Sequence, residues 1–184
     1  VVDDAGEAET AEIVRESGLD RAHTVANARG AGASGARNTG AARLDTALLA
    51  FLDDDDEWLP DHLEACVTRL VRDGLDLVCA GLVYCDGGVE RPGKLPPERL
   101  EPSAFLRRNP GLVGSNFVIR RERYHAIGGF DESLPSLNDV DFGLRLALLP
   151  SEHLGSDGAV QHLLPEAPAL VAGGPGGGGR RAEA

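Results

Sequence analysis

The sequence predicts an α/β sandwich with a mostly parallel central sheet. Short apolar runs such as "TALLAFL" and "LDLVCAGLVY" have the length and continuity of strands covered on both faces. Segments with helical spacing and glycine stops alternate with them along the chain. The 184 residues, 42% hydrophobic and 26% charged, are also enough to bury one ordinary core.

In chain order, "VVDD" reads as the end of a strand, and "GEAETAEIVRESG" as a helix stopped by Gly18. "AHTVANA" is a short strand, "RGAGASG" a flexible loop, and "ARNTGAARL" the start of a helix despite Gly40. "TALLAFL", residues 46 to 52, is the next strand. From Pro60, a favourable first helical residue, Leu63, Cys66, Val67, Leu70 and Val71 fall on one face of a helix that Gly74 ends. "LDLVCAGLVY" is a strand, and 86 to 114 a long loop with a short helix near "PSAFLRR". "SNFVIR" is a strand, while "RERYHAIGG" and "NDVDFGLRLALL" are helices. Residues 1–150 therefore make one domain, and 151–184 a poorly ordered segment ending in the low-complexity tail "GGPGGGGRRAEA".

A net charge of −12 argues against a duplex nucleic-acid binder, which needs a basic face. No apolar run reaches the roughly 18 residues of a membrane span. Cys66, Cys79 and Cys85 are odd in number and lack zinc-site spacing, which fits reduced thiols in a cytoplasmic protein. With no Met and an opening on a strand end, the chain reads as a fragment. About 30 to 40 upstream residues, one strand and one helix, are expected before it.

The chemistry concentrates in "FLDDDDEWLP", where an apolar run enters five acids, Asp53 to Glu57. Ligands of such sheets bind beyond the carboxyl ends of the strands. An extended chain would put Asp53 and Asp55 on one side, Asp54 and Asp56 on the other. Two carboxylates at i and i+2 can share a hard divalent cation, Mn2+ or Mg2+, together with a diphosphate. The structural alternative, an acidic lead-in to the following helix, explains one or two acids but not five. A calcium-hand reading fails because Trp58 stands where the sharp turn needs glycine. "GAGASG" also matches the dinucleotide pattern G-x-G-x-x-G, with Asp53 at about the spacing of the ribose-binding acid. That keeps an NAD-dependent oxidoreductase open, beside the simpler reading of a flexible loop before a helix.

Taken in order, "VVDDAGEAET", "GASGARNTGAA", "LLAFLDDDDEWLPDHLE", "GSNFVIRRERYHAIGGFDESL" and "NDVDFGLRLAL" resemble the family 2 glycosyltransferases, nucleotide-sugar enzymes of GT-A fold. The resemblance runs over residues 1 to 149. It implies a Rossmann-like α/β/α sandwich, a glycosyltransferase catalytic domain over 1–150, and inverting transfer from a nucleotide-diphosphate sugar, with UDP-sugar expected, to a hydroxyl acceptor. It implies that Asp4 contacts the donor nucleoside and that Arg37 lines the base and phosphate side. Asp53 to Asp55 would be the D-x-D element, with Asp55 the leading metal ligand and Asp53 or Asp54 near the ribose. Asp139 would be the catalytic base, with Asp141 next in line. A carboxyl-terminal metal-binding histidine would be His153 or His162. Asn138 stands where the family carries an acid, and Val140 where it carries an aromatic. By residue type alone, Asp139 reads as a helix cap, and a degenerate domain that binds nucleotide without turnover remains an alternative.

Overall fold

The computed structural model describes residues 1–86, 89–93, 95–97, 99–149 and 160–172. The chain opens on β1 (Val2–Asp3), α1 (Ala8–Glu16) and β2 (Val25–Ala26), with Gly18 at φ +70° turning it away from the first helix. Then come α2 (Ala33–Arg43), β3 (Leu48–Ala50), β4 (Asp56–Trp58), α3 (His62–Arg72) and the long strand β5 (Leu77–Asp86). β6 (Val89–Pro92) and α4 (Pro102–Phe105) lead through a 3-10 turn at Gly114–Asn116 into β7 (Phe117–Arg120). α5 (Arg121–Ala126), α6 (Asn138–Ala147) and β8 (Val160–Ala172) follow.

The sheets differ from the mostly parallel expectation. β1 and β2 pair in parallel as a two-stranded sheet of their own. In the six-stranded sheet, ordered β3-β7-β5-β8-β4 with β6 on β5, only β5 and β8 run parallel; the other four pairings are antiparallel. The reason lies in β7. It enters after the long connection that follows β5 and lies between β3 and β5, antiparallel to both. β3 and β5 therefore do run the same way, as a helical crossover through α3 requires, but they are not neighbours.

Residue alternation along the central strands builds two cores. Leu77 and Cys79 of β5 and Phe117 and Ile119 of β7 face one side, where they meet Phe105, Tyr124, Phe130, Phe142 and Leu146 from α4, α5, α6 and the loop before α6. Val78, Ala80 and Val118 face the other side and meet Cys66 and Leu70 of α3. Each large apolar side chain removed from water here contributes on the order of 1.5–3 kcal/mol. The α/β/α layering follows from this two-sided burial. On α3 the buried residues are His62, Cys66 and Leu70, while Leu63 and Val71 are exposed, so the inward face is rotated from the expected one.

Residues 160–172, within the segment expected to be poorly ordered, form β8, paired with β4 and β5. The Gly-rich tail lies outside the described residues, as does His153; His162 falls within β8. Among the described residues no helix is long and apolar enough to cross a membrane. All three cysteines are free, and burial pushes the Cys66 thiol up to about 12.

Candidate functional site

The acids after β3 do not continue as an extended strand. The Asp56 amide donates to the Asp53 carbonyl at 3.2 Å, which closes a turn with Asp54 and Asp55 at its tip. The expected two-and-two alternation of carboxylates is therefore absent. Asp54 and Asp55 are exposed, whereas Asp53 is half-buried and points at α2. Its backbone amide donates to Ser115 Oγ at 2.9 Å, and Trp58 Nε1 donates to the Ser115 carbonyl at 2.7 Å. The buried Ser115 thus ties the acidic turn to the start of β7.

Arg37, only 9% exposed, is the centre of the site. Its Nη2 donates to both oxygens of Asp53, at 2.8 and 2.6 Å, and its Nε donates to Asp53 Oδ1 at 3.2 Å. The guanidinium lies over the Phe130 ring, 4.9 Å from the centroid, a favourable place for a delocalised cation. On another side it packs so close to Gly114 that a methyl there would come within 2.3 Å of Nη2. Its remaining nitrogen, Nη1, faces Asp139 Oδ1 at 3.6 Å.

Asp139 sits in the first turn of α6. Leu137, at φ +61°, occupies the cap position, and no side chain caps the helix, so Asp139 does not act as the cap its residue type suggested. Its Oδ1 is shut off from solvent with no hydrogen-bond partner, while the side chain as a whole keeps 21% of its exposure. Burial raises its carboxyl to about 6, against a pull downward from Arg37, and Asp53 and Asp56 push it further up. Asp141, two residues on and so on nearly the opposite side of α6, is bound to Arg145, which also donates to the carbonyls of Ile127 and Gly129. Asp141 is thereby committed to holding the α5–α6 connection.

The glycine loop is built differently from a dinucleotide cradle. The Gly32 amide donates to Asp4 Oδ2 at 2.8 Å, and the Gly30 amide to Glu132 Oε2 at 3.1 Å. Amides that would face a pyrophosphate are occupied by carboxylates of the chain itself. Asp4 also accepts from Asn27 Nδ2 at 2.6 Å, so it staples this loop to the end of β1. Gly35 lies against the Gly30 carbonyl at a distance no side chain could tolerate, which explains the glycine there by packing.

Glu132 further accepts from Asn38 and from Arg29, and the hydrogen bonds from Asn38, then the Gly30 amide, then Arg29 hold its carboxyl below the usual range. Asn38 is buried and fully engaged: it donates to Glu132 and the Phe130 carbonyl and accepts from Tyr124 and the Phe130 amide. Asn27, Asn38, Gly114, Ser115, Phe130 and Glu132 were not singled out from the sequence. The one available signal was that they sit inside or beside the quoted motifs, and their partners lie up to about a hundred residues away.

A bound Mn2+ or Mg2+ is satisfied by one or two carboxylates when substrate phosphates complete its oxygen shell. Asp55 fits that role: it is exposed at the turn tip and makes no hydrogen bond to the described residues. Asp53 fits it poorly, since Arg37 holds both its oxygens. Among the described residues no three His, Cys, Asp or Glu side chains are placed to share a metal.

Comparison with known proteins adds the following. The family model described as Glycosyl transferase family 2 matches residues 1–128. An uncharacterized glycosyltransferase of Haemophilus influenzae is 27% identical over 161 residues, covering 82% of this chain and 52% of that protein. Glycosyltransferase AglE of Haloferax volcanii is 30% identical over 151 residues, covering 79% of this chain and 49% of that one. The chain thus spans about half the length of these relatives. Among solved structures, TarS 1–349 of S. aureus in complex with UDP-GlcNAc has a TM-score of 0.72 at 18% identity, covering 96% of this chain and 49% of that one. That likeness establishes a mixed α/β fold of the TarS type.

Proposed function

The chain belongs to glycosyl transferase family 2, and from that premise we propose that it moves a sugar from a nucleoside-diphosphate donor, with UDP-sugar expected, to a hydroxyl acceptor with inversion at the anomeric carbon. What supports this reading most is the convergence of Asp53, Arg37 and Asp139 at one end of the sheet. A donor-side acid and a half-hidden carboxylate of raised pKa flank one cation there. That the TarS structure of similar fold holds UDP-GlcNAc makes a uridine nucleotide the first donor to try.

The acceptor hydroxyl gives its proton to Asp139 as its oxygen attacks the anomeric carbon. The bond from that carbon to the diphosphate breaks, and its electron pair leaves with the diphosphate. A carboxylate whose pKa lies near the working pH is suited to accept that proton. Asp54 and Asp55 face the donor, and Asp4 holds the loop that borders the nucleoside. A divalent cation shared by Asp55 and the diphosphate would neutralise charge on the leaving group. Asp53 keeps Arg37 in place beside the phosphates.

Calorimetry of UDP binding, with and without Mn2+, tests the reading. Mn2+ should tighten UDP binding by about tenfold or more, within the usual range of coupling between two ligands. Asp55→Ala should abolish that coupling. Equal UDP affinity with and without Mn2+ would remove the metal, and NAD binding in place of UDP would restore the oxidoreductase alternative. Tight UDP binding with no release of UDP from a UDP-sugar, in the presence of acceptor, would mark a degenerate binding domain.

A further inference from the structure

We infer that Arg37 is a positioning residue for this reaction: a single guanidinium shared between Asp53 and Asp139 orients the Asp139 carboxylate and links its charge state to that of the donor-side acid. The inference rests on the proposed reading of Asp139 as the base and extends it to a residue the reaction itself does not touch.

The geometry is that of a fork with unequal tines. Nε and Nη2 are saturated by Asp53, while Nη1 reaches only to within 3.6 Å of Asp139 Oδ1, and both of those atoms are shut off from solvent without a hydrogen bond. The gap is too long for a hydrogen bond and too short to admit a water between them. The interaction is therefore charge to charge. It holds Oδ1 beside the guanidinium, where no hydrogen bond fixes it.

Arg37 has little room to shift. Phe130 covers one face of its guanidinium and the bare backbone of Gly114 lies against it. Lysine could supply the charge but not the fork, because a point ammonium cannot hold Asp53 with two nitrogens and still present a third to Asp139. Among the described residues, the groups acting on Asp139 are Arg37 from α2, Asp53 and Asp56 from the acidic turn, and the Cys79 thiol from β5. Of these only Arg37 is a cation. Any event that draws Asp53 away from Arg37, or neutralises Asp53, leaves more of the guanidinium's field for Asp139. Donor occupancy and base ionisation are then coupled through one side chain.

The test is a carboxyl-carbon NMR titration of Asp139 in the 184-residue chain. The wild-type midpoint is expected at about 6. Arg37→Gln should move it upward by about one unit or more, the usual effect of losing an adjacent cation. Arg37→Lys should return most of that shift. Asp53→Asn should move it the other way, downward, because a neighbouring negative charge is lost while the guanidinium stays. A general loosening of the site could not produce shifts of opposite sign. If Arg37→Gln fails to fold, Gly114→Ala, whose added methyl displaces the guanidinium, should give the same upward shift and decides in its place. An unmoved midpoint in Arg37→Gln, or an upward one in Asp53→Asn, overturns the inference. Failure of the base reading shows up separately, as normal UDP release from a UDP-sugar and acceptor by Asp139→Asn.

Discussion

Adding one methyl group at Gly114 should dismantle the Arg37–Asp53 pair without touching either residue. The new Cβ would lie 2.3 Å from Arg37 Nη2, 2.5 Å from its Cζ and 2.8 Å from its Nε, all far inside contact distance. Phe130 blocks retreat on one side and Asp53 on another, so the guanidinium must leave its fork. A wholly buried ion pair broken in this way costs about 3–5 kcal/mol, and an exposed one about 0–1 kcal/mol. With side-chain exposures of 9% for Arg37 and 32% for Asp53, about 2–3 kcal/mol is the reasonable range between those limits. At about 2–4 °C per kcal/mol for a chain of this size, the melting temperature of Gly114→Ala should fall by about 4–12 °C. Affinity for UDP should weaken with it. The decisive assay is a double-mutant cycle on thermal melts. In an Arg37→Ala background the methyl meets no guanidinium, so Gly114→Ala should cost little more. Additive losses in the double variant would refute the argument, since they would place the cost in the backbone of the 3-10 turn instead of in Arg37.

Asp139→Asn should lower transfer by about 100-fold or more, the usual scale of a lost general base, yet raise stability at neutral pH. The folded carboxyl is held up at about 6 against an ordinary value of 3.8, so its contribution is full below the ordinary value and is lost as pH rises through about 6. That loss is up to about 3 kcal/mol, and urea melts at pH 4 and pH 8 should show the variant gaining on wild type only at the higher pH. Glu132→Ala should release the Gly30 amide and Arg29 together, and trypsin should then cut at Arg29 faster than in wild type while Tyr124 stays buried; unchanged cleavage would mean the loop is held by Asp4 and Asn27 alone. Leu137→Asn should stabilise the chain by about 1 kcal/mol, because an exposed leucine at φ +61° occupies a region that asparagine tolerates better. A melt with no gain would show that the left-handed turn costs nothing here.

Much of the fold was legible in the local pattern. The helices α1 and α2, the strands β3, β5 and β7, and the glycine stops at Gly18 and Gly74 follow from apolar run length and the freedom of glycine at positive φ. Three strands escaped for a physical reason. β4 is three residues of mixed polarity, β6 is exposed throughout, and β8 contains Pro165 and Pro168, so none carries the apolar signature of a covered strand.

At the site, local sequence was enough to single out the acidic run and the "GAGASG" loop, and the family resemblance added Asp4, Arg37 and Asp139. Their relations were settled by tertiary contact alone. That Asp53 faces Arg37 instead of solvent depends on a turn closed by the Asp56 amide and on Ser115 arriving from β7. That the glycine loop is filled by Asp4 and Glu132 depends on side chains far apart in the chain meeting at one edge. Residue type and spacing determined which groups could do chemistry, because a short segment carries that information by itself. Which of them were free and which were already paired was decided only by the packed structure, since the partner of a buried charge is whatever side chain the fold brings within about 4 Å.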